Sequence, residues 1–137
     1  MKRIEITSEG APNFIGSWFL NDTTICDNII TFFEKNKKLQ HQGTTGIGVN
    51  IKYKKTTDIT INPNTLKEPN YEVFQNYFEK LQECYLDYKD QWPFLKKFLN
   101  KVNIGSFNVQ KYLPGDHFSN LHSERTQLAA LHRVFAF

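Results

Sequence analysis

Phe107-Asn108-Val109-Gln110-Lys111-Tyr112-Leu113-Pro114-Gly115-Asp116-His117-Phe118-Ser119-Asn120-Leu121-His122-Ser123-Glu124 changes its pattern twice. Strand side chains alternate, so Phe107 and Val109 share one face while Asn108, Gln110 and Tyr112 share the other. The spacing predicts a strand over 104–113. Pro114-Gly115-Asp116 then supplies turn residues, and His117 to Arg125 is polar and His-rich. In His122-Ser123-Glu124, an extended chain puts residues i and i+2 on one side, so an imidazole and a carboxylate can reach the same ion. Two His and one carboxylate on one face of an octahedron are the ligand set of non-haem Fe(II) oxygenases. A lone His-x-Glu is a weak signal, because such tripeptides more often stand in exposed loops.

Upstream of this stretch the pattern is helical. Ile25, Ile29, Phe32 and Phe33 recur on one helical face. Asp22 is the preferred N-cap, and the lysines at 35, 37 and 38 suit the negative end of the dipole, giving a helix over 22–38. Residues 39–66 read as irregular, with a weak strand at 47–53. Phe74, Tyr77, Phe78, Leu81, Tyr85 and Tyr88 mark a long helix over 69–88, with Pro69 at its start. Trp92-Pro93-Phe94-Leu95 opens a short helix running through Phe98 and Leu99. Near the N-terminus, Phe14 to Phe19 is an apolar strand-like piece after a turn at 8–13. Leu128 to Phe137 is apolar and reads as a further strand.

The chain has 137 residues, 39% hydrophobic, which is the size and composition of one globular domain. The net charge of +3 is spread over several lysine clusters. Nucleic-acid binding calls for a denser basic stripe interleaved with aromatics, so nucleic acid is not an expected partner. Cys26 and Cys84 fit no zinc or redox spacing and read as reduced, packed thiols. The charged N-terminus lacks the apolar run of a signal peptide. No segment approaches the roughly 20 apolar residues of a membrane span. The expectation is a cytoplasmic protein with no membrane partner.

The segment from Tyr112 to Glu124, with Gly115 and Phe118 between them, resembles the YxxGxx[YF]…Hx[DE] segment of the prolyl 4-hydroxylase-like branch of the Fe(II)/2-oxoglutarate-dependent oxygenases. The region from Phe14 to the first helix, Lys55-Thr56-Thr57-Asp58 and the long aromatic helix resemble the small members of that branch less specifically. The resemblance implies an α+β fold: a double-stranded β-helix (jelly-roll, cupin-like) with N-terminal helices packed on its sheet. Residues 22–99 would be helical support, and 104–137 the start of the β-helix core. His122 and Glu124 would be two iron ligands. Tyr112 would hydrogen-bond a carboxylate of 2-oxoglutarate, Gln110 would line the same pocket, and Phe118 would flank the substrate channel. The implied cofactors are Fe(II), 2-oxoglutarate as cosubstrate with O₂, and ascorbate as an auxiliary reductant. The implied reaction is hydroxylation of an unactivated C–H bond, with a peptidyl proline or another residue of a peptide or protein as the substrate.

Three features depart from the family pattern. Glu124 stands where Asp is common. One residue more than usual separates Phe118 from His122. The family also places a distal His and then a basic cosubstrate anchor well downstream, whereas thirteen residues follow Glu124. The resemblance thus implies the N-terminal part of a longer oxygenase domain. His132 is a weak candidate for the third ligand. His41 reads as a loop residue, His117 as a turn residue that is exposed or else supports the metal ligands, with exposure favoured, and Arg133 as structural. The competing reading is a non-catalytic interaction protein that retains part of the oxygenase fold without a complete metal site.

Overall fold

The structure is a computed structural model and describes all residues except 11, 12, 100, 120, 126, 127 and 132, together with the side chain of residue 129. His132 therefore lies outside the described residues. Strands and helices follow in the order β1 (Lys2–Ile4), β2 (Ser17–Phe19), α1 (Thr24–Lys35), β3 (His41–Gln42), β4 (Lys54–Lys55), β5 (Thr57–Ile61), α2 (Glu72–Gln91), α3 (Phe94–Phe98), β6 (Phe107–Lys111) and β7 (His117–Phe118). Short 3-10 turns cover Lys37–Leu39, Pro63–Lys67, Pro69–Tyr71 and Leu128–Ala130. The strands form a β1-β2 pair, a β4-β7 pair and a three-stranded sheet of order β3-β5-β6. Among the described residues they close no barrel. No helix among the described residues is long and apolar enough to cross a membrane.

The chain divides into two compact units. The first comprises Met1–Gln40 with Ile59–Val109. Its core is Phe32 and Phe33 from α1, Ile59 and Ile61 from β5, and Phe74 from α2. Phe78, Phe107 and Val109 pack against these residues. The rings meet edge to face, as their quadrupoles favour. Phe74 lies 4.9 Å from Phe32 and 5.6 Å from Phe107, and Phe78 lies 5.2 Å from Phe107. The helical spacing of Phe32/Phe33 and Phe74/Phe78 and the strand spacing of Phe107/Val109 thus converge on one apolar cluster.

Both helices form where the periodicity places them. Asp22 Oδ1 accepts the Thr24 N–H at 2.9 Å, although the helix itself is flanked by Thr23, which makes no side-chain cap bond. Cys26 is exposed rather than packed, because one step beyond Ile25 turns it about 100° around the helix. Cys84 on α2 is half-buried, and both thiols are free. The β1-β2 pair is tied to α2. Asp87 receives the Trp18 indole N–H at 2.6 Å and the Arg3 guanidinium at 3.0 Å.

The second unit comprises His41–Asp58 with Gln110–Phe137. Its secondary structure departs from the sequence reading over 47–53 and 128–137. Residues 47–53 form turns, and the strands lie just beyond them, at β4 and β5. Among its described residues, the stretch from Leu128 to Phe137 contributes a 3-10 turn and no strand. Leu128, Val134 and Phe137 are exposed, so this apolar run is not a buried strand.

Candidate metal centre

The turn before the site is set by Gly115. Its φ is +86°, a region open to glycine at no steric cost. The Asp116 N–H donates to Leu113 O at 2.8 Å, which with Pro114 before Gly115 is the arrangement of a type II turn. Asp116 Oδ2 in return accepts the Leu113 N–H at 2.9 Å. This hydrogen bond and the nearby Lys55 ammonium hold the Asp116 carboxyl below the usual aspartate range. The turn delivers the chain into β7, which pairs antiparallel with β4 so that Lys54 faces Phe118 and Lys55 faces His117.

His117 is consequently half-buried on a strand rather than exposed in a loop. Its Nε2 lies 3.3 Å from Lys52 O. Phe118 stacks on His122 with ring centroids 4.3 Å apart and an interplanar angle of 20°. His122 Nε2 lies 3.5 Å from Glu124 Oε1, while Glu124 Oε2 accepts a hydrogen bond from Arg133 Nη1 at 2.8 Å. With metal–donor bonds of about 2.1 Å, neighbouring donors of an octahedron stand about 3 Å apart, so His122 and Glu124 sit close to the spacing of two adjacent ligands. Among the described residues, no group of three His, Cys, Asp or Glu side chains converges to complete a metal-binding set.

The other residues read from the sequence fall elsewhere in the unit. Tyr112 follows β6 directly and is 45% exposed. Gln110 turns to a carboxylate, donating from Nε2 to Asp58 Oδ2 at 3.2 Å. His41 sits on β3, paired with Asp58 across the strand, and is exposed.

Gln110 leads to a cluster that periodicity and motif spacing do not single out. Asp58 is fully buried, with Lys54 and Thr56 nearly so. Lys54 Nζ meets Asp58 Oδ2 at 2.8 Å, and Thr56 Oγ1 donates to Asp58 Oδ1 at 2.7 Å. A charge pair taken out of water stands only if its remaining hydrogen-bonding capacity is met, and Thr56 and Gln110 supply that here. Gln42 Nε2 donates to Thr56 O at 2.7 Å, and the Gly43 N–H to the same oxygen at 3.0 Å. The signal in the sequence is Thr57-Asp58-Ile59-Thr60-Ile61. Its period-2 alternation marks a strand, with Ile59 and Ile61 on one face and Asp58 and Thr60 on the other.

Gly43 closes over this cluster. A Cβ there would stand 1.9 Å from Thr56 Oγ1 and 2.9 Å from Lys54 Cε. Gly43→Ala is therefore expected to destabilise the protein by about 1–3 kcal/mol, the cost of overpacking. A urea unfolding series on the variant checks this, and an unchanged midpoint would place the 41–58 segment differently.

No protein-family model, curated protein or solved structure matches this chain.

Proposed function

We propose that the chain carries part of an Fe(II)- and 2-oxoglutarate-dependent oxygenase site on a double-stranded β-helix scaffold. The observation that supports it is the approach of His122 Nε2 to Glu124 Oε1 at 3.5 Å, downstream of the Leu113–Asp116 turn and β7. On this reading, His122 and Glu124 are two ligands of a facial triad. Arg133 occupies one carboxylate oxygen and leaves the other for the metal. When bound, Fe(II) supplies the oxidative decarboxylation of 2-oxoglutarate coupled to hydroxylation of a C–H bond, and a peptidyl side chain is the substrate class the resemblance suggests. Tyr112 and Gln110 are the cosubstrate residues on this reading, although the Gln110 amide is engaged by Asp58 in the structure.

Anaerobic titration of the chain with Fe(II) and 2-oxoglutarate tests the assignment. A weak visible charge-transfer band is expected. His122→Ala should lower metal affinity by about 100-fold or more, since loss even of a residue supporting a ligand costs about 10–100-fold. A chain that gives no band, and whose metal affinity is indifferent to His122→Ala, is the interaction protein of the competing reading. The observation favouring that alternative is that the described residues hold two donors and no third.

A further inference from the structure

Lys54 carries an ammonium group inside the protein, 4% exposed at its side chain, against a fully buried Asp58 carboxylate. That carboxylate also accepts from Thr56 and Gln110, so the position of the ammonium is tied to a network and not left to a flexible stem. Lys54 is the cross-strand partner of Phe118, and its Nζ lies 5.5 Å from the Phe118 ring centroid. This is within the roughly 6 Å range of cation–π attraction. The same Phe118 ring is the one that stacks on His122. Among the described residues, His122 lies outside the strands and helices.

We propose that Lys54 is a positioning residue for the metal centre. Asp58 holds its ammonium, the ammonium fixes the orientation of the Phe118 ring, and Phe118 sets the plane of the His122 imidazole so that Nε2 faces Glu124. An apolar side chain at position 54 would fill the space behind Phe118 but would exert no directional pull on the face of the ring. This inference rests on the reading of His122 and Glu124 as metal ligands, and deepens it by naming what orients the first of them.

Two readouts on the full chain test it: the NMR shifts of the His122 ring protons, displaced by the Phe118 ring current, and Co(II) titration followed by visible absorption. Lys54→Met combined with Asp58→Leu removes the ion pair without leaving a charge buried alone, and Phe118→Leu leaves the pair untouched. Each variant, shown to be folded by near-UV circular dichroism, is expected to lose the His122 shift displacement and to bind Co(II) about tenfold more weakly, the low end of the effect of removing support from a metal ligand. Lys54→Arg, which keeps a cation for Asp58 and Phe118, is expected to restore most of both. If the double variant does not fold, Lys54→Gln, which keeps a hydrogen-bond donor for Asp58 but removes the cation from Phe118, takes its place with the same expected losses. Wild-type Co(II) affinity in either folded variant overturns the inference and leaves the metal reading standing. Absence of His122-dependent Co(II) binding in the unsubstituted chain overturns both, even if the ring shifts still respond to Lys54.

Discussion

Asp58→Ala is expected to lower the unfolding free energy by about 3–5 kcal/mol, the range for breaking a buried ion pair from one side. The cost comes from what is left behind. Lys54 stays almost fully buried and loses its carboxylate, while Thr56 and Gln110 lose the acceptor they both use. A buried charge without a partner is far more costly than an absent one. Replacing both ends with apolar residues, as in Lys54→Met with Asp58→Leu, should therefore cost much less than Asp58→Ala alone and can come out near neutral. Urea unfolding of the three chains measures the difference. If Asp58→Ala shifts stability by less than about 1 kcal/mol, the size expected of an exposed pair, Lys54 and Asp58 meet water in solution. The cluster beside Phe118 would then have to be redrawn.

Phe74→Ala is expected to cost about 3–5 kcal/mol, as for other large aromatic truncations in cores. Phe74 is 1% exposed and sits among Phe32, Tyr71 and Phe107. Its removal deletes buried apolar surface, leaves a cavity that rigid neighbouring rings fill poorly, and ends two edge-to-face contacts. Ile30→Ala serves as the control. Ile30 lies on α1 near Phe32 in sequence but is 60% exposed, so its loss should stay within about 0.5 kcal/mol. Thermal unfolding of both variants makes the comparison. Equal effects from the two would mean that α1 and α2 do not meet through Phe32 and Phe74.

Periodicity located the parts of this protein whose local pattern and tertiary role agree. Phe32 and Phe33 on α1, Phe74 and Phe78 on α2, and Phe107 with Val109 on β6 are apolar at the spacing of their elements, and they form or flank the core. Pro114-Gly115 marked its turn for an equally local reason, since the left-handed conformation found at Gly115 is one that other residues adopt with strain. The segment from 128 to 137 misled because apolar content without a turn imitates a strand, while strand formation needs a neighbouring edge that only the tertiary structure can offer.

The sequence alone singled out His122 and Glu124 as candidate metal ligands and marked which faces of the helices and of β6 are apolar. Only the tertiary structure decided what surrounds them. Nothing local to Asp58 or Lys54 announces their burial, because a charge is ordinarily buried only with partners. One partner, Gln110, lies 52 residues from Asp58 in the chain. The pairing of β4 with β7 brings Lys54 to Phe118, and the stacking of Phe118 on His122 extends that contact to the candidate ligand. No spacing rule within the segment reveals the contact of Lys54 with Phe118, because it depends on two strands far apart in the chain finding one register.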